Sequence, residues 1–155
     1  MKKYVLISAL AIFGVGILAK VLPKSDSPEV VVENLNDLSP NKAAFTAIFQ
    51  KTDIFQEIKK MQNFSFEEDK KLNKKYVQGI GYKDGDFVVF RMETLVNPSG
   101  NNYILKMLKA GETCTGINCR KCSFATGGGC DCNRMGDVHT GSEAYCNHTI
   151  TKGDK

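Results

Sequence analysis

The residues best equipped for chemistry are six cysteines crowded into one stretch: Cys114, Cys119, Cys122, Cys130, Cys132 and Cys146. Their spacing is C-x4-C-x2-C-x7-C-x-C-x13-C. At such density thiols oxidise in pairs to disulfides, bind zinc as thiolates, or hold an iron–sulfur cluster. An even number in a short, glycine-interrupted stretch points first to disulfides, with all six cysteines as candidates and about fifteen pairings open. Cys130 and Cys132, two residues apart in extended chain, would share a face and take separate partners upstream and downstream. Few apolar side chains lie among them, mainly Ile117, Phe124, Met135, Val138 and Tyr145. Such a segment is expected to depend on cross-links rather than on a core of its own.

Two metal readings stand as alternatives. Cys119-x2-Cys122 is half of a zinc knuckle, which Cys130-x-Cys132 or Cys146-x-His148 would complete. Zinc needs thiolates, and an oxidising compartment removes them. Cys114, Cys119, Cys122 and the later Cys146 also have the spacing of plant-type [2Fe–2S] ligands. The run from Cys114 to Cys122 resembles the cluster loop of plant-type ferredoxins over those nine residues. That family sets its loop in a strongly acidic β-grasp domain, which this chain does not show. A c-type haem site fails, because Ser123 stands where the motif needs histidine. His139 and His148 read as exposed tail residues. No catalytic residue is assigned. Residues 23–110 hold no His or Cys, and their serines have no adjacent base. Gly79 and Gly81 have part of a phosphate-binding spacing but no third glycine, and read as a bulge or a close packing approach.

Cysteines oxidise only where the compartment permits, so the N-terminus matters. Lys2 and Lys3 precede an uncharged apolar run from Tyr4 to Ala19. This is the pattern of an export signal or a membrane anchor. Residues 4–22 reach bilayer-spanning length if Lys20 snorkels and Pro23 ends the helix. No good Ala-x-Ala cleavage site follows, so a cleaved signal and a retained anchor both stay open. In either case the two lysines remain cytoplasmic and the rest is exported, to the envelope or beyond it. Cofactors are expected to be none, and partners to be the membrane through residues 4–22 if the leader is not cleaved, and another envelope protein. The formal charge is +4, but three of the lysines flank the leader, and the remainder is close to neutral. A nucleic-acid partner is excluded for want of clustered cations.

The elements that must position the cysteines follow from pattern. Residues 1–22 form the hydrophobic helix, 23–38 a linker with a short strand at Val30 to Val32, 39–110 a small domain, and 111–155 the cysteine-rich module. Ser39-Pro40 predicts a helix start. Phe45, Ile48, Phe49, Phe55 and Ile58, with Ile54 and Met61 nearby, predict an amphipathic helix with an aromatic face, restarting near Asp53. Residues 64–75 read as a solvated, charge-rich loop. Residues 76–92 predict a hairpin around Asp84-Gly85, and Asn97 to Gly100 a second turn before a third strand at Tyr103 to Lys109. The predicted class is α+β: a hydrophobic N-terminal helix, one amphipathic helix on a small antiparallel meander, and an irregular cysteine-rich tail.

The run Cys114-x-Gly116-x-Asn118-Cys119-x2-Cys122-x-Phe124, then Gly129-Cys130-x-Cys132 and Cys146-Asn147-His148, resembles the tails of small uncharacterised exported bacterial proteins. The resemblance implies export and bridging and carries no mechanism. The function expected is a non-enzymatic, exported or envelope-anchored binding or assembly protein. An envelope metal or iron–sulfur redox protein, and a small secreted effector or inhibitor, are the alternatives.

Overall fold

The computed structural model describes residues 27–117, 119, 121–132 and 144–151, with the backbone alone at position 132. The hydrophobic helix expected at residues 1–22 lies outside the described residues. Among the described residues no helix is long and apolar enough to cross a membrane.

Strands dominate. They are β1 (Glu29–Val32), β2 (Lys59–Asp69), β3 (Lys74–Lys83), β4 (Asp86–Ser99), β5 (Asn102–Ile117), β6 (Cys122–Phe124), β7 (Cys130–Cys132) and β8 (Tyr145–Thr151). Among the described residues one α-helix, α1 (Lys42–Gln50), lies between single 3-10 turns at Ser39–Asn41 and Asp53–Phe55. The main sheet runs β1-β5-β4-β3-β2, all antiparallel, and β8 also pairs with β5. The 16-residue β5 is thus shared on one edge: β1 takes Tyr103 to Lys106 and β8 takes Gly111 to Ile117. A separate two-stranded ribbon pairs β6 with β7.

Over the described residues the expected α+β arrangement is therefore corrected to a curled, mainly antiparallel sheet with one short helix. Three local causes explain the difference. First, α1 stops at Gln50 and Thr52 is extended, with φ −102° and ψ 122°. Ile58 and Met61 then lie just before and inside β2, not on a helix. Second, β2 carries positive φ at Lys60 (53°) and Asn63 (52°), where its register with β3 shifts. The bulges break the two-residue strand period. Buried Ile58, Met61 and Phe64 consequently recur every third residue and mimic a helix face. Third, the charge-rich stretch is paired strand on either side of a turn at 70–73, with Glu68 opposite Lys75 and Asp69 opposite Lys74. Opposite charges on facing positions stabilise such a ladder. The tail is likewise not irregular throughout, since it supplies β6, β7 and β8.

The hairpin around Asp84-Gly85 forms as its residues dictate: Lys83 pairs with Asp86, and φ is 52° at Asp84 and 94° at Gly85.

Alternation along β4 gives the sheet two covered faces. Val88, Phe90 and Met92 point to the larger core, and Val89 and Arg91 to the other side. The larger core is aromatic: Phe45 and Phe49 from α1, Phe55 from the following turn, Phe64 from β2 and Phe90 from β4. Phe49 lies 4.9 Å from Phe90 and 5.0 Å from Phe55 between ring centroids, both edge-on. Edge-on packing adds about 0.5–1.5 kcal/mol to what burial alone supplies. Glycine makes room for it. A Cβ at Gly79 would lie 2.7 Å from Phe90 Cζ, and one at Gly81 would lie 2.5 Å from Ile58 Cγ2. The glycine pair is thus a close packing approach.

Candidate functional site

The second face is where the cysteines gather. Cys114 sits on β5 beside Val89 of β4, wholly buried. The chain leaves β5 at Ile117, turns back, and lays the β6–β7 ribbon over this face, with Phe124 and Cys130 packed against the Val89 cluster. β8 then returns to the open edge of β5, placing Cys146 opposite Gly116 and His148 opposite Cys114.

Two disulfides lock this path. Cys114–Cys130 joins β5 to β7, with Cα atoms 5.8 Å apart, and Cys122–Cys146 joins β6 to β8, with Cα atoms 6.1 Å apart. Both separations fall in the range a disulfide accepts. Cys119 is disulfide-bonded as well. Its Sγ lies 3.9 Å from Sγ of Cys146, and the sulfurs of Cys119, Cys122 and Cys146 all lie within 4.8 Å of one another. Cys119 passes close over β5. A Cβ on Gly116 would meet the Cys119 carbonyl oxygen at 2.7 Å and Cys122 Sγ at 3.2 Å. Gly116 therefore admits the sulfur cluster.

The structure thus divides the proposed ligand sets. Cys119 and Cys122 are joined by Cys146, while Cys114 is taken by Cys130. Cys132 pairs with Cys122 through the backbone ladder of the ribbon. His148 is not an exposed tail residue. Its Nε2 lies 3.0 Å from Glu112 Oε2, and its ring packs edge-on to Phe124 at 6.3 Å. The missing information was that β8 joins the main sheet, a long-range pairing that leaves no local trace in composition. His139 lies outside the described residues.

A polar group that sequence reading missed anchors the ribbon. Arg91 on β4 is only 4% exposed. Its guanidinium lies between two rings, 4.0 Å from the Tyr76 centroid and 4.2 Å from that of Phe124. Its Nη2 donates to Glu112 Oε2 at 3.1 Å, so Glu112 serves both Arg91 and His148. Buried charge is tolerated only when paired, and a desolvated guanidinium between rings gains cation–π attraction. Burial pushes the Tyr76 phenol above its usual value. A lone arginine in a strand of Val and Phe was the one available signal.

Comparison with protein-family models, curated proteins and solved structures finds no match.

A further tie comes from Asp69, at the end of β2. Its Oδ2 accepts from the Gly127 N–H at 2.8 Å, and its Oδ1 from the N–H groups of Lys71 and Leu72 at 3.0 and 3.1 Å. The Gly127 N–H is the main cause that holds this carboxyl below its ordinary pKa. One carboxylate thus joins the β2–β3 turn to the turn of the β6–β7 ribbon.

The opposite face carries a cleft of about 340 Å³ between the turn after α1, the β3–β4 hairpin and the β5–β8 pair. Asp53, Glu57, Asp84 and Asp86 line it together with the threonines Thr113, Thr115 and Thr149 of β5 and β8. Lys83 pairs with Glu57 there, and that hydrogen bond lowers the Glu57 pKa and raises that of Lys83.

Proposed function

We propose that this chain is an exported or envelope-anchored, non-enzymatic binding or assembly protein whose C-terminal segment is fixed to its sheet by disulfides. The observation that carries the reading is the pair of bridges, Cys114–Cys130 and Cys122–Cys146, each joining a tail strand to a different element. No described cysteine is free. Sulfur in that state is neither nucleophile nor metal ligand, so it shapes a surface. Disulfides persist outside the reducing cytosol. That agrees with the lysine-led apolar run at residues 2–19, the pattern of an export segment. The same bridges make the exposed strands a rigid surface, which lowers the entropy lost on binding a partner.

The test is location and thiol state together. Cells making the full chain are fractionated after rapid alkylation. The reading expects the protein in the envelope or medium, with its cysteines unalkylated until reductant is added. Cytosolic protein with alkylated cysteines would refute it.

A second reading, metal binding, rests on the sulfurs of Cys119, Cys122 and Cys146 lying together, and concerns the reduced protein.

A further inference from the structure

We infer that the disulfide-bonded sulfurs of Cys119, Cys122 and Cys146 become a zinc site when the bridges are reduced. The geometry is the argument. Tetrahedral zinc holds thiolates at about 2.3 Å, which sets neighbouring sulfurs about 3.8 Å apart. Cys119 Sγ and Cys146 Sγ already lie 3.9 Å apart without sharing a bond, and all three sulfurs fall within 4.8 Å. A metal at their centre needs only small movements of side chains.

The backbone that holds these sulfurs has supports besides the bridges. Cys146 is placed by the β5–β8 ladder, which is in register from Gly111↔Thr151 to Ile117↔Tyr145. Thr151 reinforces its far end, accepting from Gly111 N–H and donating to Gly111 O, both at 3.2 Å. Cys119 and Cys122 have the two-residue spacing of a zinc half-knuckle and sit over Gly116 with no room to spare. Phe124, just beyond Cys122, is held by Arg91. Reduction therefore leaves these three thiols gathered at one point beside the thiol that the Cys119 bridge releases, and the fourth tetrahedral position falls to that thiol, to solvent or to a ligand. Three thiolates select a soft or borderline cation such as zinc over magnesium or calcium.

The chemistry balances with a dithiol or phosphine as reductant. Each bridge broken takes up two electrons and two protons and becomes two thiols. The dithiol leaves as its own disulfide, or the phosphine as its oxide with oxygen from water. Zinc then displaces the thiol protons to solvent. The tail exchanges covalent cross-links for a metal cross-link, and oxidation of the thiols expels the metal.

The experiment uses the full chain. Protein reduced anaerobically with a phosphine is titrated with Zn²⁺ against a chromophoric chelator, and in parallel with Co²⁺, whose thiolate charge-transfer band counts the sulfur ligands. The expected results are one metal ion per reduced chain with a cobalt spectrum of at least three thiolates, and none for the oxidised chain. Cys119→Ser and Cys146→Ser should each weaken zinc at least about tenfold. The double variant Cys114→Ser/Cys130→Ser, which keeps the trio, should bind as the parent does. A reduced chain that binds no metal would overturn the inference. So would Cys146→Ser binding unchanged, or the double variant losing as much affinity as Cys146→Ser. None of these results would touch the proposed function, which concerns the oxidised chain.

Discussion

Removing the Arg91 side chain would leave Glu112, in a site where little water reaches, with His148 as its one charged partner, and would take the cation from between the Tyr76 and Phe124 rings. Breaking a buried pair from one side costs about 3–5 kcal/mol. Arg91→Ala is therefore expected to destabilise by that amount in denaturant unfolding. Arg91→Lys should recover only part of it, because an ammonium cannot present a flat face to two rings. A glycine position sets the opposite constraint on the other face. Gly81→Ala would drive a Cβ to 2.5 Å from Ile58 Cγ2 and 2.9 Å from the Lys59 carbonyl oxygen. Overpacking of that kind costs about 1–3 kcal/mol, read as a lower denaturant midpoint with an unchanged slope.

Between elements, the Asp69–Gly127 hydrogen bond is the contact most open to a pH test. Its carboxyl is held below the ordinary value, so the folded state favours the anion. Such a group stabilises fully above its unfolded pKa of about 3.9, and its contribution is lost as pH falls through the lower folded value. The parent protein should lose stability between about pH 5 and pH 2, and Asp69→Asn should lose less across that window from a lower starting point. Thermal unfolding across the series checks it. Elements were legible in the sequence where their signals were local. The Asp84-Gly85 hairpin, the strand from Tyr103 and the short strand at Val30 to Val32 all form. β2 was not legible, because bulges at Lys60 and Asn63 gave it a helical spacing. Nor was β8, whose pairing with β5 spans residues 111 to 151.

At the scale of the molecule, the tail was expected to owe its shape to cross-links alone. The structure instead shows it held three ways: by the β5–β8 ladder, by the Arg91–Phe124 and Asp69–Gly127 contacts, and by the bridges. That cysteines cross-link this segment was legible from their number and setting. Which cysteines meet was not, since pairing is decided by strand order. The closed loops are short, with separations of 16 and 24 residues. Each bridge should accordingly contribute about 2–4 kcal/mol. Replacing Cys114 and Cys130 together by serine should lower stability by that amount in calorimetry or denaturant unfolding. The aromatic core should stay folded, because α1, β2 and β4 reach it without the tail.

The pairing itself is the most direct test of the account. Protein isolated without reductant, blocked with an alkylating agent, cleaved by protease and read by mass spectrometry should yield peptides joining Cys114 to Cys130 and Cys122 to Cys146. Peptides joining Cys114 to Cys122, or alkylated thiols at these four positions, would contradict it.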